Sequence, residues 1–179
     1  MGGNHGPDGR HRIMRRGAVV YGADDEVQRW VAKRIPDYTL SSGARSLAVI
    51  KGDRVVAAVV YERCNGHHVE ASIAALPGSG WADRNTLFQL FAYPFLQLGV
   101  QAVTVLVSMA NLESLNLATK LGFQPVAIIP FAATHGAPLV ILQMTIEQCR
   151  WIQHGQGEQG AGGTRPVPDG SGRSPIQPA

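Results

Sequence analysis

A chain of 179 residues with a 45% hydrophobic share has room for one domain with a sizeable core and little more. No apolar run approaches the roughly 20 residues that cross a bilayer, the start Met1 to Arg10 lacks a signal-peptide core, and two cysteines, Cys64 and Cys149, are too few for a disulfide framework, so a cytoplasmic protein with reduced thiols and no membrane role is expected. The formal charge of +3 comes from the ends, because residues 17–152 carry ten Lys/Arg against ten Asp/Glu, and a nucleic-acid reader ordinarily carries its charge on the folded face.

Residues 1–14 are Gly-rich, basic and aperiodic, and read as a flexible arm. A domain is expected over 15–152. Residues 153–179 hold seven Gly, four Pro and no aromatic, which buries too little apolar surface to offset ordering entropy. Within the domain, Ala18–Tyr21 reads as a strand. Asp24 or Asp25 is placed to cap a helix to about Arg34, with Val27, Trp30, Val31 and Ile35 on one face. Ser46–Lys51, the turn Gly52-Asp53 and Arg54–Glu62 form a hairpin. Asn65-Gly66 is a second turn, leading to a strand at 67–75. A helix follows from about Ala82 to Leu98, where Pro94 removes a backbone donor and predicts a kink. A strand at 101–108, a helix at 112–121 and strands near 123–129 and 138–146 complete the order β-α-β-β-β-α-β-α-β-β. The class is α/β (α+β): a mixed sheet with helices on both faces.

Alternation along 67–75 puts Val69, Ala71, Ile73 and Ala75 on one face and His68, Glu70, Ser72 and Ala74 on the other. Glu70 therefore stands at the centre of the polar face, where by itself it reads as an ordinary polar residue on the wet side of a sheet. His68 and Glu70 could both ligate a metal, but no third ligand stands at sensible spacing, and metal is not expected. The segment Leu76 to Leu87 joins a strand to a helix and suits an anion, because free N–H groups and the helix dipole meet there. The plainer reading of the same loop has Asp83 as helix cap and Trp81 as packing anchor. Asn111 is a favoured N-cap residue, and Ser114 lies one turn on.

The run Ala102–Ser108 followed by Asn111-Leu-Glu-Ser-Leu-Asn-Leu-Ala-Thr-Lys-Leu-Gly-Phe123 resembles the late part of the GNAT superfamily, the acyl-CoA-dependent N-acyltransferases. The element order is similar to that fold across 17–152, except that the second of the two helices usual after the first strand is short or absent. Tyr21-Gly22-x-Asp24-Asp25, Trp30-Val31-Ala32-x-Arg34-Ile35, Trp81 with Arg84, Tyr93-Pro94-Phe95, Gln97-Leu98-Gly99 and Glu147-x-Cys149-Arg150-Trp151 resemble a GNAT subgroup encoded by bacteriophages and prophages. Pro125-Val126 and Pro130 stand near places where that subgroup has Glu-Gly and Arg.

The resemblance implies acetyl-CoA, or another acyl-CoA, as cofactor and an amine on a small molecule or protein as acceptor. It implies Glu70 as the base. It further implies that backbone N–H groups of Ser72, Ile73, Ala74, Ala75 and Leu76 hold the pantetheine and the developing oxyanion. Gly78, Gly80, Ala82, Arg84 and Asn85 would lie around the diphosphate, although the family's signature falls on Ser79, Ala82 and Arg84 and matches poorly. Asn111 would contact the cofactor arm, with Ser114 beside the cleft and available as an acid. Seven residues after Asn111 many relatives place a Tyr that protonates the thiolate; here stands Ala118. Two alternatives stay open. One is a non-catalytic CoA- or protein-binding phage accessory protein, and the other is an acyltransferase acting on modified DNA bases. The acceptor is not legible, and a homodimer stays open because sheet-edge pairing leaves no reliable sequence mark.

Overall fold

The computed structural model describes residues 17–153; the arm at 1–14 and all but the first residue of the 153–179 tail lie outside the described residues. The strands are β1 Ala18–Tyr21, β2 Arg45–Lys51, β3 Arg54–Glu62, β4 His68–Ala75, β5 Ala102–Ser108, β6 Gln124–Ile129 and β7 Leu139–Thr145. The helices are α1 Asp24–Ala32, α2 Arg84–Ala92 and α3 Leu112–Leu121. They form one seven-stranded sheet of order β1-β2-β3-β4-β5-β7-β6, as the mixed α/β expectation required. Every pairing is antiparallel except that of β4 with β5.

Helix boundaries follow their caps. Asp83 accepts from the backbone N–H and the hydroxyl of Thr86, which starts α2 at Arg84, two residues later than the sequence suggests. Asn111 accepts from the Ser114 N–H and opens α3, and Gly122, at φ 111°, closes it. The cap expected at Asp24 or Asp25 is not found. Ala23 occupies that place with no side-chain bond, and Asp24 is instead spent on β2, accepting from the Ser46 N–H at 2.6 Å and from Arg45 at 3.2 Å. No second helix follows α1: the segment to Ala44 runs in turns. Pro94 produces a widened π-helical turn over Tyr93–Gln97. Because Pro94 has no N–H to give, the ladder resumes with Leu98 N–H reaching back five residues to the Tyr93 carbonyl.

The two sheet faces bury separate cores. Leu47, Val49, Val69, Val103 and Leu142 pack beneath α2 and α3 with Leu90, Phe91 and Phe123. On the other face Val27 and Val31 of α1 meet Ala48, Ala58, Val60 and Ala74. With only one short helix there, α1 contacts β2, β3 and β4 and leaves the face of β5 and its neighbours open, so Leu106 is 42% exposed. Thr134 hydrogen-bonds the Asp37 carboxylate across this side, tying the β6–β7 connection to the segment after α1.

Candidate active site

β4 and β5 pair only at His68 with Ala102, Val69 with Val103, and Glu70 with Thr104. Each strand is committed elsewhere: β4 follows β3 as far as Ala75, and β5 follows β7 through Ser108. Beyond Glu70 and Thr104 the two part. The gap is a cavity of about 70 Å³ walled by Ala71, Ser72 and Ile73 on one side, Val105 to Val107 on the other, and Ser114, Leu117 and Ala118 of α3.

Hydrogen-bond parity decides which backbone groups face this gap. The Leu76 N–H donates to the Val56 carbonyl at 2.8 Å, and antiparallel alternation then commits Ala74 and Ser72 to β3 as well. The expectation that all of Ser72 to Leu76 offer amides to a ligand is therefore corrected: Ile73 and Ala75 turn toward the gap, and Ser72, Ala74 and Leu76 do not.

At the vertex, Glu70 accepts from Arg63 at 2.5 Å. Directly opposite it across β3–β4 stands Glu62, 6% exposed, which shares the same guanidinium at 3.4 Å. Opposed like charges repel, and Arg63, on the exposed hairpin, offsets that repulsion. The hydrogen bond that the Arg63 guanidinium donates to Glu70 heads the causes that raise the Arg63 pKa. Glu70 also stands opposite Thr104, Thr104 opposite Gln143, and Gln143 opposite Gln124, so one polar row crosses five strands from Glu62. The His68 Nε2 lies 2.7 Å from the Thr104 hydroxyl. Tyr38, with its phenol pushed up to about 12 by burial and then by Glu62, stays protonated beside this group.

The second half of the site adjoins the first at Leu117. A cavity of about 280 Å³ is lined by Ala75 to Ala82, Glu113 and Leu117. Gly78, Gly80 and Ala82 belong to it. Arg84 and Asn85 do not: they are exposed at the start of α2, outside the lining. Asn111 is likewise exposed, its Oδ1 spent on the cap. Ala118 is 4% exposed in the cleft wall and presents no hydroxyl. A larger polar cavity of about 570 Å³ lies over the start of α1 and shares no lining residue with either.

Glu62, Arg63, Thr104 and Gln143 escaped the sequence reading. Counting outward from Asn65-Gly66 as a two-residue turn sets Glu62 opposite Val69; the observed register is one residue further on and puts Glu62 opposite Glu70, and nothing in the sequence says that Arg63 lies between them.

Solved structures share this architecture. A point mutant of the spermidine N-acetyltransferase SpeG from Vibrio cholerae matches with a TM-score of 0.62 at 13% identity, covering 79% of this chain and 99% of that one. The dodecameric structure of the Vibrio cholerae spermidine N-acetyltransferase in an intermediate state gives 0.57 at 15% identity, covering 73% and 94%. The chain has the GNAT fold. No protein-family model and no curated protein matches it. No helix among the described residues is long and apolar enough to cross a membrane.

Proposed function

We propose that the chain is an N-acyltransferase, by default an acetyltransferase, that moves the acyl group of an acyl-CoA directly to a primary amine within a ternary complex. The observation that carries this reading is the parting of β4 from β5 with a carboxylate, Glu70, at the vertex. Ile73 and Ala75 offer amides to the pantetheine and to the thioester oxygen as it gains charge. The loop from Gly78 to Ala82 takes the diphosphate, and the free side-chain nitrogen of Asn111 contacts the cofactor arm. The amine attacks the thioester carbon, its proton passes to Glu70, the C–S bond breaks, and the thiolate takes a proton from Ser114 or water. The bacteriophage-type subgroup and a cytoplasmic setting belong to the same proposal.

For Glu70 to accept a proton, Arg63 must release it. Arg63→Ala is therefore expected to raise acyl transfer to small amines by about two- to fivefold, the scale of one largely exposed ion pair. A fall of similar size in steady-state assays would make the ion pair part of the working site instead. The acceptor is a cationic amine: two carboxylates stand at the vertex, and the solved structures of like fold belong to enzymes named for spermidine.

Asp83 bears on the cofactor. Burial works against its ionisation, but hydrogen bonds from Thr86 and Asn85 outweigh this and hold its carboxyl below the ordinary range. It therefore keeps a negative charge beside the loop where a diphosphate would bind. Asp83→Asn retains the cap and is expected to tighten acetyl-CoA binding by about two- to fivefold, read by calorimetry; weaker binding would place the diphosphate elsewhere.

The direct test titrates the full chain with acetyl-CoA, with Asn111→Ala and Arg84→Ala alongside, and then screens amines by mass spectrometry. Micromolar binding weakened by Asn111→Ala supports the reading. The exposure of Arg84 outside the cavity predicts the smaller effect there. Ala118 favours a second reading, a non-catalytic CoA- or protein-binding accessory protein. Binding without turnover on any amine would establish it.

A further inference from the structure

We infer that Lys51 is a positioning residue for the diphosphate loop, supplying from a neighbouring strand the cation that the loop itself lacks; this rests on the acyl-CoA reading above. The cavity lining contains one carboxylate, Glu113, and no Lys or Arg. Asp83 adds a second negative charge close by. An anion bound there needs a compensating charge, and the sequence offers none within the loop.

Lys51 is the last residue of β2, and its Nζ donates to the Ser79 carbonyl at 2.9 Å and to the Gly80 carbonyl at 2.7 Å. Two consecutive carbonyls are thus drawn to one side. In a trans peptide the N–H lies opposite the carbonyl, so the same contacts turn the amides of Gly80 and Trp81 to the other side of the loop. Neither amide meets a protein acceptor among the described residues. Gly78 at φ 68° and Gly80 at φ 58° give the chain the left-handed turns with which successive amides gather into an anion-binding concavity. The loop passes directly over the ammonium: a Cβ built on Gly80 would lie 3.7 Å from Nζ. Lys51 therefore acts through the loop, orienting its donors and polarising the two peptides in the direction that favours an anion.

The test separates diphosphate recognition from general loop integrity. Full-length wild type, Lys51→Met, Lys51→Gln and Lys51→Arg are titrated with acetyl-CoA and with S-acetylpantetheine, which has no diphosphate. Lys51→Met is expected to weaken acetyl-CoA about tenfold while S-acetylpantetheine changes by less than about twofold. Lys51→Gln, which can still donate to the carbonyls but is uncharged, behaves like Lys51→Met and serves in its place if the latter folds poorly. Lys51→Arg, which keeps the charge and the donors, recovers most of the affinity. Equal loss on both ligands, or unchanged acetyl-CoA affinity in the neutral variants, overturns the inference. A wild type that binds S-acetylpantetheine no more weakly than acetyl-CoA overturns the diphosphate site alone and Lys51 with it. A wild type that binds neither ligand overturns the acyl-CoA reading itself.

Discussion

Glu70→Gln lowers acyl transfer by about 10²- to 10⁴-fold, the usual worth of a positioned general base, while acetyl-CoA affinity stays where it was. An ammonium cannot attack a thioester until it loses a proton, and Glu70 stands at the one point where the β4–β5 ladder ends and the cleft begins. Gln keeps the shape and can still accept from Arg63 through its side-chain oxygen, so the hairpin that carries Arg63 keeps its contact. What disappears is the proton acceptor. The pH profile distinguishes this from structural damage. As the medium approaches the roughly 10.4 of an ordinary alkylammonium, more acceptor arrives already neutral, and the gap between variant and wild type closes. A gap that stays constant with pH, or equal rates near neutrality, would reduce Glu70 to one half of an ion pair and transfer the proton-accepting role to water or to Glu62.

Phe123→Ala is expected to lower stability by about 3–5 kcal/mol, the range for emptying a buried aromatic site, and the melting temperature by roughly 10–20 °C. Phe123 is 1% exposed, and its ring lies 6.0 Å from that of Phe91 at an interplanar angle of 50°, a tilted arrangement that aromatic pairs favour. It directly follows Gly122, whose left-handed conformation ends α3, and its own N–H bonds the Ala118 carbonyl. The ring thereby fixes the end of the helix that forms one wall of the cleft. Calorimetric melts of wild type and variant check the magnitude. A shift of only a few degrees would mean that neighbouring side chains collapse into the vacated space. Below its melting temperature the variant should also bind acetyl-CoA more weakly, because Leu117 and Ala118 lose their support.

The candidate site was legible in part. Glu70 stood out because strict alternation leaves one carboxylate in the middle of a strand face, and the structure places it at the vertex. Asp83 and Asn111 were legible as caps because capping involves a residue and its own next turn. Arg84 was less well placed: a cation near a Gly-rich loop looks suitable in sequence, yet the first residue of α2 points its neighbourhood outside the cavity. The compensating charge comes instead from Lys51, 28 residues before Ser79. The run of amides from Ser72 to Leu76 was over-read for a related reason. Three of the five, Ser72, Ala74 and Leu76, belong to β3, and only the pairing partner decides which three.

The sequence by itself determined the order and type of the elements, the α/β class, the caps of α2 and α3, and the neutrality of the folded part. These follow from side-chain periodicity and from contacts between residues a few positions apart. Asp24 marks the boundary of that reach, since a cap-like residue at a helix start was taken by the Ser46 N–H of a distant strand. Only the tertiary structure decided where β4 leaves β5, which two amides face the gap, that Glu62 and Glu70 share Arg63, and that Lys51 turns the loop. Each of these is set by cross-strand register and by competition between neighbouring strands for the same hydrogen bonds, and neither quantity is carried by any one segment of the chain.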